Sequence, residues 1–139
     1  MSPSDCIFCK IVAGEIPATI VDEDERTIAF MDISPATRGH ALVIPRAHAA
    51  DVHAIDPQDL AAVAVTAQRV AAKARANLGA EGVNLLNSSG AAAWQTVFHF
   101  HMHVIPRYAD DPLKLPWVPA AGDMDEIAAT GAQLRGGGT

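Results

Sequence analysis

The chain is 139 residues long, half apolar and 19 % charged, with a formal charge of −6. That length and apolar content describe one domain that buries its own core, which excludes a disordered chain. The acidic balance lacks the clustered Lys and Arg needed to track a phosphate backbone, which excludes a nucleic-acid partner but leaves small nucleotides open.

Cys6 to Ala13 reads as a short helix or turn, ended by Gly14 and Pro17. Thr19 to Val21 and Thr27 to Met31 flank the acidic turn Asp22-Glu23-Asp24-Glu25, and a hairpin is the economical way to join them. Asp32 then sits at a strand end. Ala41 to Ile44 is an apolar run stopped by Pro45, a third and well-buried strand, with His48 just beyond it. Asp56-Pro57 reads as an N-cap with proline at the first helical position. Leu60, Val63, Ala67, Val70 and Ala74 then recur at helical spacing, predicting a helix to about Asn77 with Gly79 as its stop. Gly82 to Leu86 and Val97 to Ile105 supply two more strands. Pro106, Pro112, Pro116 and Pro119 break the next stretch, before a weaker helix over Asp123 to Leu134 and a Gly-Gly-Gly tail expected to fray.

Strands in runs with one long helix between them predict an α+β fold: a five-stranded, mainly antiparallel sheet, one long helix and a short C-terminal helix. The whole of 1–139 is read as one domain, with a core over about 5–108 and a Pro-rich segment, helix and flexible tail over 109–139. No Gly-x-Gly-x-x-Gly or Walker-type loop is present. No apolar run reaches the ~18 residues of a membrane span and no charged start leads into an apolar stretch, so a soluble, cytoplasmic protein without a membrane partner is expected.

His99-Phe100-His101-Met102-His103-Val104 places three of the chain's six histidines in strict alternation. In an extended strand His99, His101 and His103 share one face, while Phe100, Met102 and Val104 take the other. One strand histidine is ordinarily a half-buried polar group satisfied by a neighbour. Three on one face cost desolvation unless each finds a partner, so the face is a working cleft or a metal site. Cys6 and Cys9, the only cysteines, read as metal ligands or as a redox pair, and with two histidines they make a tetrahedral zinc set. Alternatively, one imidazole is a nucleophile, held neutral and attacking phosphorus through its free nitrogen.

Asp32-Ile33-Ser34-Pro35, Gly39-His40, Val43-Ile44-Pro45-Arg46-Ala47-His48 and above all Gln95-Thr96-Val97-Phe98-His99-Phe100-His101-Met102-His103-Val104 resemble the histidine triad family of nucleotide hydrolases and transferases. The resemblance covers residues 5 to 108. It implies that His101 attacks the α-phosphorus to form a nucleotidyl-histidine that water then hydrolyses, with His99 and His103 completing the catalytic set. It also implies that Asn87, Gln95 and Thr96 donate to phosphoryl oxygens and that Asp32 accepts from the ribose hydroxyls, where an ordinary turn aspartate is the plain alternative. Ile7, Phe8, Ile11, Phe30 and Ile33 match the apolar wall for a purine base, although simple core would read the same way. By the same resemblance Cys6, Cys9, His48 and His99 hold one structural zinc, a closed set with no open position for water, and none is required for the chemical step. Dimerisation, with two sheets joined into one, is a further implication. His40 and His53 find no match and are read as surface or loop residues.

His103 in the third triad position points to the hydrolase side of the family. The expected activity is a phosphoramidase or hydrolase releasing a nucleoside monophosphate, AMP in the first instance. A dinucleoside polyphosphate hydrolase is the alternative, and a zinc-stabilised nucleotide-binding regulatory module with vestigial catalysis is the rival of another class. A third reading has the triad itself holding zinc for metal-dependent hydrolysis. Ala91-Ala92-Ala93-Trp94 stands where a glycine-rich approach to the triad strand is usual, and bulks up the loop near the expected phosphate site.

Overall fold

The acidic turn closes because Asp24 Oδ1 accepts from the backbone amides of Arg26 and Thr27, at 2.9 and 2.8 Å, and from the Thr27 hydroxyl. A computed structural model of the chain describes residues 5–136, and there this turn joins β1 (Ile20–Glu23) to β2 (Thr27–Met31) as a hairpin. β2 pairs in turn with β3 (Ala41–Pro45), which is buried along its whole length. β5 (Met102–Arg107) lies against β3, and β4 (Gly82–Asn87) closes the other edge. The order β1-β2-β3-β5-β4 is antiparallel at every pairing, giving the expected five-stranded sheet.

Two helices cover the sheet, one on each face. On one face lies α2 (Pro57–Leu78), begun by Asp56, whose carboxylate accepts from Gln58 N at 2.7 Å, and ended by Gly79 at φ 71°. Val63, Ala67, Val70 and Ala74 form its buried stripe against Ala29, Val43, Phe100 and Val104. Full burial of Val63 alone is worth about 1.5–3 kcal/mol. A polar clamp fixes the helix to the hairpin: Arg69 bonds Asp22 through two nitrogens at 3.1 and 3.2 Å, and the Thr27 and Thr66 hydroxyls meet at 2.7 Å. On the opposite face α1 (Ile7–Val12) packs Phe8 with Cys6, Ile28, Phe30, Leu42 and Ile44.

Only one glycine on the way to the site must be glycine for space as well as backbone. Gly39 has φ +90°, and a Cβ there would meet Leu78 Cδ1 at 2.6 Å and Pro106 Cγ at 3.2 Å. It delivers the chain to His40 and β3. At the other end α3 (Met124–Arg135) begins at the Asp123 cap and is exposed along nearly all of its length. The tail residues Gly137 and Gly138, expected to fray, lie outside the described residues. No described helix is long and apolar enough to cross a membrane.

Candidate active site and metal centre

The site is built where β3 runs out of donors. Pro45 has no amide hydrogen, and the ladder between β3 and β5 goes no further than Val43 opposite Met102. The carbonyl of Pro45 is instead bonded by His99 Nε2 at 2.8 Å, and the Phe100 amide donates to Ala49 O at 2.7 Å. The strand expected from Val97 therefore starts only at Met102. Alternation survives without the ladder: Phe100, Met102 and Val104 still pack in the α2-side core, and the rings of His101 and His103 stand 5.0 Å apart.

Hydrogen bonds assign the imidazole protons, because a carbonyl can only accept. His101 Nδ1 lies 2.8 Å from His99 O, so Nδ1 carries the proton and Nε2 keeps a bare lone pair. His99 Nε2 donates to Pro45 O, which leaves its Nδ1 bare toward the two cysteines. Burial lowers the pKa of His101 below the ordinary imidazole value, against the bond to His99 O. Burial likewise lowers His99 and His103, each to about 4. All three are neutral at pH 7, as a nucleophile and a zinc ligand require.

His40 corrects the sequence reading. Expected as a surface or loop residue, it does lie in the loop just before β3 but is only 5 % exposed, and its Nε2 lies 2.9 Å from His103 Nδ1 and 3.4 Å from Asp32 Oδ2. Ala36 N–H donates to His40 Nδ1 at 2.9 Å, so the His40 proton sits on Nε2 and is given to His103 Nδ1. His103 is thereby the Nε2–H tautomer, a donor at its other nitrogen. The same proton argues against a cation among Asp32, His40 and His103, although their ligand atoms cluster within 4.8 Å. The signal for His40 was in its spacing: positions 40, 42 and 44 alternate, and Leu42 sits directly opposite His103. His53 is exposed, as expected.

The folded chain resists protonating His103 where the unfolded chain does not, which makes stability depend on pH. Between pH 6.5 and about 4 the unfolded state binds the extra proton. Stability is therefore fully present above pH 6.5 and lost as pH falls through about 4. Urea unfolding at pH 7, 5.5 and 4.5 is expected to give a falling free energy, with a shallower slope in His103→Gln. Equal slopes in the two proteins would remove His103 as the cause.

Cys6, Cys9, His48 and His99 come together as the sequence predicted, with all four ligand atoms within 4.8 Å of one another. Cys6 Sγ to His99 Nδ1 and Cys9 Sγ to His48 Nδ1 are both 3.3 Å, and Cys9 Sγ to His99 Nδ1 is 3.5 Å. Tetrahedral zinc with ordinary Zn–S and Zn–N bonds sets such S···N edges at roughly 3.5 Å, so the donor set fits. Burial and the neighbouring Cys6 push the Cys9 thiol up to about 11, a pair of sulfurs that a cation would relieve. Only His99 of the triad belongs to this cluster.

The remaining expected residues divide. Phe8 and Phe30 are buried, Phe8 edge-on to His101 with centroids 5.2 Å apart, whereas Ile7 and Ile33 are exposed, Ile33 at 98 %. Asp32 Oδ1 accepts from Ser34 N at 2.7 Å in a turn, and its Oδ2 faces His40. Asn87 donates to His101 O at 3.0 Å and accepts from the Ser89 hydroxyl. Gln95, expected among the phosphoryl donors, has its carboxamide engaged within the chain: Nε2 donates to Ala50 O and Val97 O, and Oε1 accepts from Gly90 N. Thr96 is exposed. His101 itself is only 6 % exposed, and two open cavities among the described residues, of about 550 and 360 Å³, lie on the α2 side of the sheet.

The HIT domain description matches residues 13–110. Among similar proteins, an adenosine 5′-monophosphoramidase of Schizosaccharomyces pombe is 38 % identical over 130 residues, covering 93 % of this chain and 95 % of that protein. A HIT family protein from Bacillus anthracis superposes with a TM-score of 0.88 at 38 % identity, over 97 % of this chain and 98 % of the other. A zinc-bound histidine triad family protein from Mycobacterium smegmatis superposes at 0.78 with 41 % identity, over 97 % and 99 %.

Proposed function

This chain belongs to the HIT domain family, and from that premise we propose that it is a nucleotide phosphoramidase releasing a nucleoside monophosphate, AMP in the first instance, through a nucleotidyl-His101 intermediate. The observation that carries the reading is the bond from His101 Nδ1–H to His99 O, which leaves the lone pair of Nε2 available. In the first step that lone pair forms an N–P bond as the substrate's P–N bond breaks. The amine departs with the bonding electron pair and takes up one proton. In the second step water attacks phosphorus, the N–P bond breaks with its electron pair returning to His101 Nε2, and the proton lost by water goes to solvent, replacing the one the amine took from solvent, so that neutral His101 is restored.

The neighbours have roles consistent with their bonds. His103 Nε2–H and the unused Asn87 amide hydrogen are donors for phosphoryl oxygens as charge shifts in the transition state, and the exposed Thr96 hydroxyl is a further candidate. Gln95 acts here as a brace for its loop. Asp32 retains lone pairs for a ribose hydroxyl beyond those given to Ser34 and His40. Phe8 and Phe30 back a wall to which the exposed Ile7 and Ile33 add apolar surface for a purine. Cys6, Cys9, His48 and His99 would hold zinc, which supplies rigidity to the segment carrying His99 and no open position for chemistry. The β4 edge, with Val83, Leu85 and Leu86 each more than 40 % exposed, supports pairing with a second copy as a homodimer.

The S. pombe relative's name favours the phosphoramidase over the dinucleoside polyphosphate hydrolase. Rapid quenching during turnover of adenosine 5′-phosphoramidate, followed by peptide mass analysis, is expected to find an AMP adduct on His101. Faster turnover of diadenosine polyphosphates through the same adduct would shift the reading to the alternative. Nucleotide binding without any turnover would leave the vestigial module.

A further inference from the structure

Trp94 is the only non-glycine residue with positive φ among the described residues, at φ 74° and ψ 20°. Glycine is the default at such a backbone position, because a Cβ crowds the chain there. Its indole is also 67 % exposed, so the fold gains little burial from the ring. Three alanines precede it and offer nothing that would screen it from a ligand.

The loop holding the ring is firm. Trp94 N donates to Ala91 O at 3.0 Å and Gln95 N to Gly90 O at 3.1 Å. The Gln95 side chain adds bonds to Gly90 N, Ala50 O and Val97 O. The start of the same loop is linked to the backbone of the nucleophile through Asn87, since Ser89 bonds Asn87 and Asn87 bonds the carbonyl of His101. An exposed aromatic side chain at a strained backbone position, on a loop tied down by hydrogen bonds two residues before Thr96, is suited to a stacking surface.

We infer that Trp94 is a specificity-determining residue whose indole stacks on a flat ring carried by the leaving group. The proposed purine wall of Ile7, Phe8, Phe30 and Ile33 is drawn from α1, β2 and the turn after it, whereas Trp94 lies in the connection between β4 and β5; with the base assigned to that wall, the indole is left for the leaving group, and the preferred substrates are aromatic at both ends. This rests on the phosphoramidase reading above. A flat leaving group could be an aromatic amine or a second nucleoside, and the two share the same recognition chemistry.

The test uses the full chain and four AMP derivatives: the amidates of ammonia, cyclohexylmethylamine and naphthylmethylamine, and diadenosine triphosphate. Stacking on an aromatic side chain predicts that Trp94→Ala lowers kcat/KM for the naphthyl amidate by about tenfold. The ammonia and cyclohexyl amidates should change less than about twofold on the same grounds. Trp94→Phe should keep most of the naphthyl rate, and Trp94→Gly should match Trp94→Ala on every substrate while unfolding no more easily than wild type, which separates a lost contact from a damaged fold. A parallel loss on diadenosine triphosphate names a nucleoside as the second ring, and its absence names an aromatic amine. Equal losses on all substrates would overturn the inference in favour of a loop or subunit contact, and so would no loss on any. Failure of wild type to cleave even the ammonia amidate would sink the phosphoramidase reading itself, and this inference with it.

Discussion

His101→Ala is expected to lower kcat for phosphoramidate cleavage by at least about 10⁴-fold, the scale on which loss of a covalent nucleophile is felt. His101 Nδ1–H is held by His99 O at 2.8 Å, so the lone pair of Nε2 is both available and aimed by a single bond. Water reaching phosphorus without that imidazole must act in one hard step instead of two easier ones. Binding should survive, since Asn87, His103, Asp32 and the Phe8 and Phe30 wall are untouched. The check is kcat together with a titration of AMP: a collapsed kcat with AMP affinity within about threefold supports the assignment. Unchanged zinc content in the variant excludes a disordered site. Turnover within tenfold of wild type would remove His101 as nucleophile.

The second large effect is on stability. At free zinc a thousandfold above its dissociation constant, binding to the folded state contributes about 4 kcal/mol. A domain of this size moves its midpoint by roughly 3 °C per kcal/mol, so Cys6→Ala or exhaustive chelation should lower Tm by about 12 °C. The rate should follow a different course. At a temperature where the chelated protein is still folded, kcat should stay within about twofold of the zinc-loaded value, because the bond from His99 Nε2 to Pro45 O holds the ring without the metal. Calorimetry and initial rates on the same samples test both halves. A kcat that falls with zinc while Tm does not would place the metal in the chemistry.

The sheet and its long helix were legible because the apolar periodicities are clean: Val63, Ala67, Val70 and Ala74 on one stripe, and Ala41 to Ile44 as an unbroken run. The facing of the triad was legible for the same reason, since alternation needs only extended backbone. The strand itself was less so, because Pro45 withholds a donor from the neighbouring strand, and a reading of 97–105 alone does not include that neighbour. His40 was missed because its partner, His103, is 63 residues away and only the register of β3 on β5 brings them together. Gln95 shows the reverse limit. A carboxamide suits phosphate and backbone equally, and the choice depends on a loop fold closed by Gly90 and Ala50 that no local pattern announces. The exposure of Ile7 and Ile33 beside buried Phe8 and Phe30 likewise follows from the third dimension alone.

The ring of Pro45 matters for what it withholds from the sheet. With the hydrogen-bonded zipper lapsing after Val43 opposite Met102, His99 Nε2 takes the Pro45 carbonyl and His101 Nδ1 takes the His99 carbonyl. A residue with an amide hydrogen at that spot would invite the two strands to knit further, giving a firmer and chemically mute scaffold. The bare ring nitrogens of His99 and His101 thus trace to the place where the weave is left unfinished.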